Sequence, residues 1–273
     1  MRSFDWVIYM AVLAVFVWTM FAQDPKADAP EPAPAVIEAD GPTLPPPSPL
    51  DEQVLVQVNE PKDGIGTAFA VNKSGQWITA RHVVDGCNSV GLLVAPGQYV
   101  PVESIVVDPD HDLALLSTGR SPSPVKFDLD SPLRIGAHGY HVGYPQGRPG
   151  EVATKLMSRS KLITRGRREG AEPILAWAEI GRTRGLTGSL GGISGGPVFD
   201  NKGEVRGVIV AESPRRGRIY TAAPTSIDAF LTSLSVDRED GPTEIFQEET
   251  YGPMSDNARR RLQVVKVACR VSP

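Results

Sequence analysis

From Leu50 onward the chain alternates short apolar runs with clusters of Gly, Asn, Asp and Pro. A first set covers residues 53–58, 66–71, 76–79, 89–94, 99–107 and 112–116, and a second covers 138–144, 173–180, 204–211 and 218–223. Many short strands at roughly ten-residue spacing predict an all-β sandwich or a pair of barrels. The two sets part near 121–131, where prolines and aspartates cluster. A single helix is predicted over 226–234, with Thr225 as its N-cap and Asp228 three residues on. The tail beyond Val236 is acidic at Asp237, Glu239 and Asp240, then basic at Arg259, Arg260 and Arg261. It ends in a strand-like stretch, 262–271, that reads as an edge strand or a frayed end.

The N-terminus has a different texture. Residues 6–22 form 17 uncharged positions behind Arg2. At 1.5 Å per residue they reach about 25 Å, against roughly 30 Å for a bilayer core. Two readings stay open, a single membrane-spanning anchor and a signal peptide. Ala22 suits a cleavage site while Met20 does not, and Trp6 and Trp18 suit interfacial anchoring. Nine prolines fall between Pro25 and Pro49, so 23–50 is expected to be an extended linker, a Pro-rich ligand for a partner being the other reading. The predicted layout is therefore anchor or signal peptide (1–22), linker (23–50), strand-rich domain (51–235) and tail (236–273). With Arg2 ahead of the apolar segment, everything after it is expected to be exported.

Composition narrows the function. With 41% hydrophobic and 22% charged residues, wholesale disorder is excluded. The balance of 28 basic against 32 acidic residues gives no nucleic-acid footprint. Two cysteines exclude a four-cysteine zinc module. In an oxidising compartment Cys87 and Cys269 can pair, and two free thiols are the alternative.

Candidate chemistry sits in three segments. A hydroxyl nucleophile needs a base, a group that orients the base, and donors for an oxyanion. Residues 191–197 (GGISGGP) set Ser194 among glycines, whose missing Cβ permits an unusual backbone path. Residues 79–84 place His82 after a strand, and Asp112 directly precedes the Leu-Ala-Leu-Leu run. Asp108 and Asp110 are less well placed, His111 reads as a solvent-facing neighbour, and Ser189 lacks a following Gly-Gly-Pro. His138 and His141, three apart on a predicted strand, point to opposite faces and do not read as metal ligands.

In the order His, Asp, Ser, these segments resemble the chymotrypsin (trypsin-like) serine protease family. The supporting motifs are GTAFAV, GYPQG, the GISGGPVFD run ending at Asp200, GEVRGVIV and APTSI. The likeness covers 53–235 and is closest in texture to bacterial HtrA-like proteases. It implies a two-barrel chymotrypsin-like fold with a short C-terminal helix. It also implies peptide-bond hydrolysis of protein or peptide substrates through an acyl-enzyme, without cofactor or metal. By the same resemblance His82 is the general base, Asp112 its orienter and Ser194 the nucleophile, with the Gly192 and Ser194 N–H groups as oxyanion hole. The primary specificity pocket falls on Gly188, the wall Val210, Ala211 and Glu212, and the stretch at Arg218. No aspartate stands at the pocket base, so small or medium apolar P1 residues are expected rather than Lys or Arg. Arg218 at the rim either attracts an acidic P1 or points to solvent.

Two departures stand out. The tail has fewer than 40 residues, too few for the PDZ domain usual in HtrA-like proteins. Ile193 occupies the position where digestive members keep an aspartate for a freed N-terminal amine, so activation by N-terminal processing is not expected. The expected location is a bacterial inner membrane, with a single pass and the protease domain in the periplasm, or secretion after signal cleavage. A catalytically inactive trypsin-like fold, serving as a membrane-tethered adaptor, is the reading from a different class.

Overall fold

A computed structural model describes residues 41–271. The apolar segment 6–22 and most of the linker lie outside that range. Among the described residues no helix is long and apolar enough to cross a membrane.

The chain begins β1 (Glu52–Val58), β2 (Gly64–Ala70), β3 (Gln76–Thr79), a one-turn helix α1 (Arg81–Val84), β4 (Ser89–Ala95), β5 (Gln98–Pro101), β6 (Ser104–Val107) and β7 (Ala114–Ser117). It continues with β8 (Lys126–Phe127), β9 (His138–Gly143), β10 (Gly150–Gly166), β11 (Gly170–Arg182), β12 (Pro197–Phe199), β13 (Glu204–Ser213) and β14 (Arg218–Ala222). Two helices, α2 (Pro224–Ser233) and α3 (Tyr251–Arg260), precede the last strand, β15 (Val264–Arg270).

These strands make two sheets. One is seven-stranded in the order β5-β4-β15-β2-β3-β7-β6. In the other, β9, β10, β11, β14, β13 and β12 pair in a closed ring, with β1 added in parallel to β10 and β8 to β13. Closure removes the unpaired edges of that ring. Strand β10 makes it possible: its 17 residues are long enough to pair with β9, β11 and β1. Two irregularities in its register with β11, at Ala153/Thr154 and Leu156/Ser158, break the two-residue alternation. That break, with Lys155, Arg159 and Lys161 in the run, hides the strand from a reading by hydrophobic pattern. Phe69, Trp77, Ile78, Leu113 and Leu116 fill the first sheet, while Tyr140, Trp177 and Tyr220 are fully buried in the second.

Three expectations are corrected. The tail is neither edge strand nor frayed end, because β15 lies in the interior of the first sheet, antiparallel to both β2 and β4. Val264, Val265 and Val267 are fully buried, and Cys269 is disulfide-bonded to Cys87, which follows α1. Arg259 of α3, also buried, pairs with Glu151 at 2.7 Å and donates to the Gly150 carbonyl. A domain ending at 235 would therefore lack an internal strand of its first sheet.

The predicted helix starts earlier, with Ala223 as its N-cap and no side-chain cap. Pro224 takes the first turn, where its missing N–H would be unpaired anyway, and this places Thr225 inside the helix. The last residues of the linker are docked rather than extended into solvent. Leu44 is buried against Leu156, Leu175 and Trp177, and backbone bonds tie Gly41 and Leu44 to Ile135 and Leu133.

Removing β15 deprives β2 and β4 of a partner and exposes the apolar surface that three valines cover, each contributing about 1.5–3 kcal/mol. Against a domain stability of about 5–15 kcal/mol, that loss is decisive. A chain truncated after Arg261 should show no cooperative thermal unfolding by circular dichroism. A melt within a few degrees of the full chain would contradict the interior placement of β15.

Candidate active site

Strand β3 ends at Thr79, Ala80 stays extended, and α1 begins at Arg81. The turn puts His82 beside the loop that enters β7. There the His82 N–H donates to Asp112 Oδ1 at 2.9 Å, and His82 Nδ1 lies 2.6 Å from Asp112 Oδ2. The Arg81 N–H donates to the Asp112 carbonyl, so the helix start and the aspartate are locked to each other. Asp112 is nearly closed off from solvent at 8% side-chain exposure, whereas the imidazole is 40% exposed. With Nδ1–H held by the carboxylate, Nε2 is the nitrogen left to take a proton.

Burial disfavours the charged form of both groups, but their mutual attraction outweighs it. The Asp112 charge and hydrogen bond hold His82 above its ordinary value of 6.5, and Glu172 adds to this when it is ionised. The His82 charge and its two hydrogen bonds, with Arg168 further off, hold Asp112 below the usual carboxylate range.

Ser194 belongs to the second sheet, in the loop before β12. It shares with His82, Asp112 and Gly192 the walls of one cleft of about 460 Å³. Its hydroxyl makes no hydrogen bond among the described residues, and neither does the N–H of Gly192 or of Ser194. Gly192 has φ +102°, and a Cβ there would lie 2.6 Å from the Tyr144 carbonyl, so only glycine fits this loop path. Thr67 of β2 clamps the loop from the first sheet. Its N–H donates to the Ser194 carbonyl at 2.8 Å and its hydroxyl to the Gly192 carbonyl at 2.8 Å.

Among the described residues no buried ion pair orders the loop. Ile193 is 2% exposed and packs with Val152, Leu190, Ile209 and Ile219. Gln146, in the left-handed region at φ +53°, donates its side-chain amide to the Thr187 and Ser189 carbonyls and its N–H to the Gly191 carbonyl. Glu212 accepts the Leu190 N–H and is bonded to the Ser189 hydroxyl.

The structure sorts the remaining expected residues. Val210, Ala211 and Glu212 line the cleft. Gly188 and Arg218 are not among its lining residues. The Gly188 carbonyl accepts a hydrogen bond from Arg182, and Arg218 is held 2.6 Å from Glu52 of β1. That ion pair joins Arg218 to β1. His111 pairs with the buried Asp108 rather than facing open solvent. His138 binds Glu248, while His141 is buried against Thr154, and burial drives its pKa down to about 3.

Thr67, Gln146 and Glu172 are parts of this region that the residue pattern did not single out. Thr67 and Gln146 fall inside the motifs GTAFAV and GYPQG, where neither residue stands out by type. Glu172, one residue before the predicted 173–180 strand, carried no local signal at all. It is 3% exposed and both its oxygens lie 3.0 Å from the Asp112 nitrogen.

Residues 66–208 match the trypsin-like peptidase domain. The chain belongs to the trypsin-like peptidase family. The chain is 31% identical over 199 residues to a probable periplasmic serine endoprotease DegP-like of Brucella suis, an alignment covering 67% of the chain and 37% of that relative. It is 28% identical over 172 residues to Protease Do-like 5, chloroplastic, of Arabidopsis thaliana, covering 57% of the chain and 50% of the relative. Its fold is shared with the Rv3671c protease of M. tuberculosis in its active form, at TM-score 0.51 and 19% identity over 73% of this chain and 97% of the other. It is also shared with the HtrA-type protease AlgW, at TM-score 0.50 and 18% identity over 62% and 51%. The chain therefore spans little more than a third of the Brucella relative's length.

If apolar packing orders the loop, a charge at 193 should disorder it. Ile193→Asp buries an unpaired carboxylate at a cost of several kcal/mol, whereas Ile193→Val costs about 0.5–1.5 kcal/mol. Hydrogen exchange should show faster exchange across 188–194 in the aspartate variant and little change in the valine variant. Equal protection in both would refute apolar ordering.

Proposed function

We propose that this chain is a serine endopeptidase acting through His82, Asp112 and Ser194. The observation that carries the reading is the Asp112-bound imidazole facing, across one cleft, a serine loop with two unbonded N–H groups. The Ser194 oxygen attacks the substrate carbonyl carbon and its proton passes to His82 Nε2. Asp112 holds the resulting imidazolium. The Gly192 and Ser194 N–H groups receive the oxyanion. His82 then returns the proton to the leaving amine, which departs and leaves an acyl ester on Ser194. Water, activated by the same imidazole, hydrolyses that ester. No cofactor enters any of these steps.

Substrates are proteins or peptides bound along the cleft, with Val210, Ala211 and Glu212 beside the P1 side chain. The Glu212 carboxylate is engaged by the 189–190 loop, and small or medium apolar P1 residues remain the expectation. A periplasmic location is supported by the Brucella relative, described as a probable periplasmic protease, and by the Cys87–Cys269 disulfide, which suits an oxidising compartment. Tethering through the apolar segment 6–22 completes the proposal.

The alternative, a catalytically silent adaptor on the same fold, predicts no turnover. Ser194→Ala and His82→Ala should each lower kcat/KM on a peptide pool by roughly 10³-fold or more while the thermal melt stays unchanged. Wild-type turnover by purified Ser194→Ala, or none by the parent chain, would overturn the assignment.

A further inference from the structure

Glu172 has a place in the molecule that the proposed reaction does not use. The other buried acids among the described residues each pair with a basic side chain, Glu151 with Arg259, Asp108 with His111 and Asp112 with His82. Among the described residues Glu172 has no such pair. Its two oxygens converge on the amide of Asp112, reaching from β11 in the second sheet to the loop of the first sheet that carries the orienting carboxylate. The charged groups around it come from three elements. Asp112 and Asp108 lie on the loop before β7, where Arg81 donates to the Asp108 carbonyl; His82 lies on α1; Arg168 lies in the β10–β11 turn.

We propose that Glu172 is a positioning residue of the catalytic apparatus, tying Asp112 to the second sheet through its amide and feeding its own charge state into the Asp112–His82 pair. The proposal rests on the reading of this site as a serine peptidase. The tie matters because the base and its orienter belong to one sheet and the nucleophile to the other, and misplacement by about 1 Å can cost about 10²-fold in rate.

The charge matters because two carboxyls and one imidazole in one buried site titrate as a unit. Burial and the Asp112 charge push Glu172 up to about 8, against the pull of the Asp112 N–H and Arg168. At neutral pH it is therefore protonated, and an uncharged carboxyl still accepts the amide bond. Above that value it adds a negative charge, which favours protonated His82, the form that the transition state requires. The sign follows: kcat/KM should rise once as His82 loses its proton and again near pH 8 as Glu172 ionises.

The test compares wild type, Glu172→Gln and Glu172→Ala. Two quantities are followed against pH, kcat/KM on one peptide and the His82 imidazole resonances. Wild type should show the second rise, and its His82 resonance a second inflection near pH 8. Glu172→Gln keeps an acceptor for the amide but cannot ionise. It should stay within about threefold of wild type near pH 7 and lack both features, while Glu172→Ala should lose about tenfold or more at every pH. A glutamine variant that retains the second inflection overturns the electrostatic coupling. An alanine variant within twofold of wild type overturns the tie. If wild type cleaves no peptide, the peptidase reading fails, and the imidazole titration still decides the coupling. Should Glu172→Ala fail to fold, the glutamine comparison stands by itself.

Discussion

Thr67 is the residue on which the alignment of the two sheets depends. Fully buried in β2, it donates its N–H to the Ser194 carbonyl and its hydroxyl to the Gly192 carbonyl. The hydroxyl also accepts the Tyr144 N–H, and the Thr67 carbonyl accepts the Thr79 hydroxyl. One side chain and one peptide unit thereby connect the nucleophile loop, the 143–147 turn and the strand that leads into His82. Close approach is required: a Cβ on Gly143 would lie 2.6 Å from the Thr67 hydroxyl and 2.9 Å from Ile193. These bonds form away from water, where an unpaired donor or acceptor costs about 1–3 kcal/mol, so any shift between the sheets is penalised several times over.

The C-terminal segment reinforces the same alignment from behind. Strand β15 lies against β2 with Lys266 opposite Thr67, and its Cys269 is bonded to Cys87 just after α1. Helix α3 sends Arg259 to the Gly150 carbonyl and Glu151, and over the Tyr144 ring at 5.9 Å to its centroid. Through Tyr144 and Gln146 that contact continues into the 187–191 carbonyls. Ile193 anchors the same loop by apolar packing against Val152, Leu190, Ile209 and Ile219.

Legibility in the sequence followed the range of the interactions. The His82, Asp112 and Ser194 segments were readable because a strand end, a turn and a glycine-rich loop each carry a local signature. The apolar strands were readable where one face is buried with a period of two. Strand β10 was not, since its bulges move the pattern between faces. Nor was the interior position of β15, because which strand lies beside which is decided by partners some 170–200 residues away. Glu172 was invisible for the same reason, its meaning residing in an amide 60 positions earlier. The Arg218 contact with Glu52 was likewise illegible, since nothing near Arg218 in sequence announces Glu52.

The central claim is that the fold presents one activated serine, Ser194, beside formed oxyanion donors without any processing step. Covalent labelling of the untreated full chain with a fluorophosphonate tests it most directly, with mass spectrometry locating the adduct. The account predicts one adduct per chain, on Ser194, and none after His82→Ala. An adduct on another serine, or labelling that appears only after proteolytic trimming, would contradict it.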